Sequence, residues 1–105
     1  MRMITRHGMP LLLFLAWSSG MNSAWGVIVN DESLARGCAG CHGIRGEGHG
    51  ALPPISGRPH AALEKALRDF KSDQRTATVM QRISKGYSDE ELARLARYFA
   101  NRPMR

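Results

Sequence analysis

Cys38-Ala39-Gly40-Cys41-His42 is a C-x-x-C-H run, the pattern at which haem is attached covalently to polypeptide. Two cysteines three positions apart lie on one face of a helical turn, so each thiol can add to one vinyl group of the same ring. The ring is then tethered twice. His42 follows the second tether directly, which puts its neutral imidazole under the iron as the proximal axial ligand. Small Ala39 and Gly40 let the ring edge lie close to the backbone.

Other chemistries are possible for these residue types. A thioredoxin-like C-x-x-C needs a βαβ context, and no strand patterns flank the motif. A zinc site needs four ligands; beyond Cys38, Cys41 and His42 only His7, His49 and His60 are histidines. A disulfide between Cys38 and Cys41 would close a very small loop and leave the adjacent histidine as coincidence.

Residues 1–26 read as a cleaved secretory signal. Arg2 and Arg6 form a positive start, and Leu11 to Trp17 a short apolar run before small residues. The run is far shorter than the roughly 20 residues of a spanning helix, so no membrane anchor is expected after cleavage. Ala24-Trp25-Gly26 fits a cut after Gly26, with a cut after Ala24 as the alternative. Residues 27–105 then form one domain carrying one haem c. At that size a protein core alone is marginal and a staple is needed, a role a buried porphyrin can fill. Leader and motif together point to the periplasm of a Gram-negative bacterium, or the outer face of its inner membrane. Only two of the 15 basic side chains leave with the leader, so the domain stays basic against 9 acidic groups. The basic residues are dispersed, without the clustered patch and interleaved aromatics of nucleic-acid binding.

The fold class is all-α, about four helices. Asn30 is a plausible N-cap, and Leu34, Gly37, Cys38 and Cys41 share one face of a first helix. Five glycines and the Pro53-Pro54 pair make 43–57 a wrapping loop. Pro59 is placed to open a second helix with the stripe Leu63, Ala66, Leu67 and Phe70. A short apolar patch, Val79, Met80 and Ile83, ends at Gly86, read as a C-terminal cap. Ser88-Asp89-Glu90-Glu91 is a capping box that opens the last helix, striped by Leu92, Leu95, Ala96 and Phe99.

The residue on the other haem face decides between a reactive iron and a relay. Met80 stands in an apolar patch flanked by flexible chain, where it serves either as sixth ligand or as core packing. Met104 lies near a terminus that frays, while His49 and His60 read as solvated side chains.

From the C-x-x-C-H motif through Pro53-Pro54-Ile55-Ser56-Gly57 to the terminal helix, the chain resembles a small class I cytochrome c. More narrowly, Phe70-Lys71-Ser72, Ala77-Thr78-Val79-Met80 and the run Ile83 to Leu92 resemble the cytochrome subunit of flavocytochrome c sulfide dehydrogenase. The resemblance implies that Met80 is the sixth ligand. It also implies that a proline carbonyl orients the proximal imidazole: Pro53 or Pro54, with the Pro-x-Ile-x-Gly spacing favouring Pro53. Arg58, after the last loop glycine, matches a propionate-binding arginine. The implied activity is one-electron transfer from a sulfide-oxidising flavoprotein subunit to a downstream cytochrome or oxidase, with no substrate chemistry of its own. A free monohaem shuttle is the alternative, and an open-iron haem enzyme or gas sensor a third reading. Arg45, Arg58, Lys71, Arg75, Arg82 and Lys85 are candidates for a basic rim that steers partners, or for ordinary solubility.

Overall fold

The computed structural model describes residues 29–104, so the expected leader and its cleavage sites lie outside the described residues. Four helices follow one another: α1 (Asp31–His42), α2 (His60–Lys71), α3 (Met80–Ser84) and α4 (Asp89–Ala100). Among the described residues there is no strand, and one isolated bridge, His49 to Leu52, pinches the long loop. The all-α expectation holds.

Each helix begins for a local reason. At α1 the Asn30 side chain accepts the Ser33 N–H at 2.8 Å, with Asp31 and Glu32 in the first turn facing the positive end of the dipole. At α4 the Ser88 hydroxyl accepts from Glu91 N at 3.1 Å while the Glu91 carboxylate accepts from Ser88 N at 2.8 Å. This is the reciprocal capping box. Pro59 stands one place earlier than expected, as the N-cap of α2. Its fixed φ suits either place, and with a β-region ψ of 132° it stays outside the helix.

Gly86 is a correction. It does not adopt the left-handed conformation of a capping glycine. Instead Lys85 ends α3 in helical geometry, and Gly86 N and Tyr87 N donate to Ile83 O and Ser84 O, a tightening of the last turn that needs no positive φ.

Helix α4 organises the core. Leu92, Leu95, Ala96 and Phe99 are buried against Leu34 and Ala35 of α1 and Leu63 of α2. Helix α3 packs on α2. Arg94 fastens the N-terminal end, its guanidinium reaching Asp31 at 2.7 Å and the Val29 carbonyl at 2.6 Å. Fully burying such an apolar side chain contributes about 1.5–3 kcal/mol, and a core this small offsets little more than chain entropy. The expected α1 face is split: Leu34 is buried and Cys38 half-buried, whereas Gly37 and Cys41 are exposed. The protein core thus covers Leu34 and part of Cys38 on that face and leaves Gly37 and Cys41 open.

Candidate haem site

The C-terminal turn of α1 carries the motif. Cys38 is half-buried against the core and Cys41 is exposed; neither is in a disulfide. Burial, then the neighbouring Cys41 charge, pushes the Cys38 thiol up to about 11. His42 is only 7% exposed, and its Nδ1 lies 2.7 Å from the Pro53 carbonyl. A carbonyl can only accept, so Nδ1 carries the proton and Nε2 is left with a free lone pair. That is the tautomer a metal ligand needs, with its ring orientation fixed from behind. Pro53, rather than Pro54, supplies the carbonyl.

The loop that brings Pro53 there is built on backbone bonds. Gly48 N donates to His42 O at 2.6 Å, and Ile55 N and Ser56 N both donate to Gly46 O. Gly46 has φ 73°, and a Cβ there would stand 2.6 Å from Ser56 Oγ, 2.8 Å from Phe99 Cδ1 and 2.9 Å from Ile55 Cγ1. Only glycine fits. The Ser56 hydroxyl donates to Arg45 O. The Glu47 carboxylate accepts from Arg45 N, and hydrogen bonds from its own and the Arg45 N–H hold it below the usual carboxylate range.

The remaining expected residues come from other elements of the chain. Met80 opens α3, half-buried, and the Gln81 side chain accepts from Ala77 N at 3.1 Å, drawing the preceding run together. Val79 and Ile83 are 51% and 42% exposed, and Ile44, just past His42, is 84% exposed. Arg58 lines a groove of about 320 Å³ with Ala62, Leu63, Lys65, Ala66, Asp69 and Arg75. His49 is exposed, and His60 is exposed and paired with Glu64 at 3.3 Å. Met104 is exposed and lies over Gly57. Among the basic residues expected at a rim, Lys71 is engaged by the Tyr87 carbonyl and Asp89, and Lys85 by Asp73.

Tyr87 went unnoticed in the sequence. A Cβ on Gly37 would lie 2.5 Å from its hydroxyl, so the tip of the Tyr87 side chain rests against α1 one residue before Cys38. Burial, then the Cys38 and Glu91 charges, raises this hydroxyl above its ordinary value. The available signal was a glycine directly before the motif. The Ser84 hydroxyl is buried without a hydrogen-bond partner among the described residues.

The donor set suits a flat, doubly tethered iron porphyrin: two free thiols, an imidazole with Nε2 released, and apolar side chains left uncovered by protein. Among the described residues no three His, Cys, Asp or Glu side chains converge as a metal cage. A sequence model of the family described as Cytochrome c matches residues 31–102. The chain belongs to the cytochrome c family. It is 47% identical over 70 residues to the cytochrome subunit of sulfide dehydrogenase of Chlorobaculum tepidum, covering 67% of this chain and 64% of that protein. It is 31% identical over 94 residues to cytochrome c4 of Pseudomonas aeruginosa, covering 89% of this chain and 47% of that one. Cytochrome c-553 of Helicobacter pylori is 36% identical over 69 residues, 64% of this chain and 72% of the relative. The matched stretch thus spans less than two thirds of the first two relatives. This cytochrome c carries covalent haem c and is an electron carrier. No helix among the described residues is long and apolar enough to cross a membrane.

Proposed function

We propose that this cytochrome relays single electrons in the periplasm as the haem subunit of a sulfide-oxidising flavoprotein. The domain is 27–105, exported by a leader at 1–26. The haem is held by Cys38 and Cys41 and ligated by His42 and Met80. The observation that carries the proximal-ligand reading is the bond from His42 Nδ1 to the Pro53 carbonyl, which frees Nε2 and fixes the ring; Met80 rests on the family resemblance.

The bound haem supplies a one-electron couple. His42 and Met80 would be the residues that hold the iron, and with both engaged no place would remain for a substrate or gas. A thioether ligand from Met80 would favour the ferrous state and so raise the potential. Ile44, exposed beside the motif, and Arg45 are placed for contact with a partner. A sulfide dehydrogenase partner subunit is supported by the name of the Chlorobaculum relative, and its flavin by the family resemblance of the sequence. Purification from the native periplasm tests it. Co-elution of a flavin chromophore with the red protein is expected; a lone red monomer points instead to a free shuttle and overturns the subunit reading.

A further inference from the structure

Tyr87 is a single residue tied to all four helices. It stands between α3 and α4, and its N–H donates to the Ser84 carbonyl at 3.2 Å, continuing the tightened last turn of α3. Its own carbonyl accepts from Lys71 Nζ of α2 at 2.8 Å, and the same ammonium reaches Asp89 of α4 at 3.0 Å. The next residue, Ser88, is the N-cap of α4. Its main chain is thereby set from three sides. The side chain then runs to the fourth helix: the hydroxyl lies 2.5 Å from where a Cβ on Gly37 of α1 would stand, one residue before Cys38. Tyr87 and Cys38 both pack, partly buried, against the core that α1, α2 and α4 share.

The two segments joined in this way carry the two sides of the haem chemistry. Helix α1 holds Cys38, Cys41 and His42. The stretch from Val79 to Tyr87 is one hydrogen-bonded unit that includes Met80: Ile83 N donates to Val79 O, Lys85 N to Gln81 O and Gly86 N to Ile83 O. Helix α3 itself packs on α2, and the Tyr87 side chain carries the unit across to α1. We propose that Tyr87 is a positioning residue for the sixth ligand, a strut whose phenol sets how α3 and its Met80 stand against the helix that bears the tethered haem. The inference rests on the Met80 ligand reading. Methionine is a flexible side chain, so its hold on a metal depends on the segment that presents it, as outer contacts orient other metal ligands. Removal of the strut leaves Met80 chemically intact but frees α3 to shift, which raises the share of molecules with the thioether off the iron. In this role Tyr87 acts through α3 and not on the iron.

The test uses the haem-loaded protein and the variants Tyr87→Leu, Gly37→Ala and, as a control that loosens the N-terminal end of α1 instead, Arg94→Gln. Three quantities are read for each: the methionine-to-iron charge-transfer band of the ferric protein, the midpoint potential, and the rate of carbon monoxide binding to the reduced protein. Expected in Tyr87→Leu are a weakened band, a lower potential and several-fold faster carbon monoxide binding. Arg94→Gln should match wild type in all three while unfolding at lower urea. Gly37→Ala separates position from stability, because alanine suits a helix interior better than glycine while its Cβ displaces the tip of the phenol. Its band should weaken and its carbon monoxide binding quicken although the helix is no weaker, and it decides the matter if Tyr87→Leu does not fold. A Tyr87→Leu protein that loses stability alone, or a Gly37→Ala protein with wild-type values of all three quantities, overturns the strut and leaves Tyr87 as packing. A wild-type ferric protein without the charge-transfer band defeats the Met80 reading instead, so the two failures are distinguishable.

Discussion

Gly46 shows how much one residue can constrain the proximal side of this cytochrome. It is buried at φ 73°, with Ser56, Ile55 and Phe99 all within 3 Å of where a Cβ would stand, and its carbonyl accepts two N–H groups. Gly50 has a similar φ of 57° but nothing within 4 Å. Gly50→Ala therefore isolates the conformational cost, about 1–2 kcal/mol, whereas Gly46→Ala adds overpacking, for about 2–5 kcal/mol in all. Urea unfolding of the haem-loaded variants checks the order, and equal midpoints would contradict it. The same loop shows what was legible and what was not. The resemblance, matched through the Pro-x-Ile-x-Gly run, pointed to Pro53 over Pro54 as the carbonyl facing His42, and Pro53 is the one found. That Arg58 and Arg75 line one groove was invisible, since their meeting depends on how the segment after α2 folds back.

At the scale of elements, α4 was the most legible because its start and its buried face are both local patterns: the Ser88 and Glu91 box and the stripe Leu92, Leu95, Ala96 and Phe99. The end of α3 was not, because glycine at 86 permits a left-handed cap without requiring one. Ser88→Ala removes the hydroxyl that accepts from Glu91 N and should cost about 1 kcal/mol. That corresponds to a melting temperature lower by about 4–8 °C; an unchanged melting point would show the cap to be idle. Helices α2 and α4 are also joined by Lys71 and Asp89 at 3.0 Å, and the Lys71 hydrogen bond holds the Asp89 carboxyl below its ordinary value. A depressed carboxyl stabilises the fold above its unfolded pKa and loses that effect as pH falls through its folded one. The stability gap between wild type and Asp89→Asn should therefore be full at neutral pH and close on acidification below about pH 3.9. A gap that stays constant into strong acid would contradict the linkage.

For the whole molecule, a few buried side chains around α4 must hold four helices, while Val79, Ile83 and Ile44 remain uncovered by protein. A domain of this size needs a staple, and the haem is that staple. Cys38→Ala/Cys41→Ala protein, made without attached haem, should lose its cooperative thermal transition by circular dichroism; a transition matching the haem-loaded form would show the polypeptide to be self-sufficient. The proposed ligand Met80, the first residue of α3, would close the iron to outside molecules together with His42 and make the carrier a sealed relay. Carbon monoxide added to the reduced protein tests this most directly. Wild type should show no prompt binding and Met80→Ala rapid binding; prompt binding by wild type, or identical behaviour of the two proteins, would contradict the account.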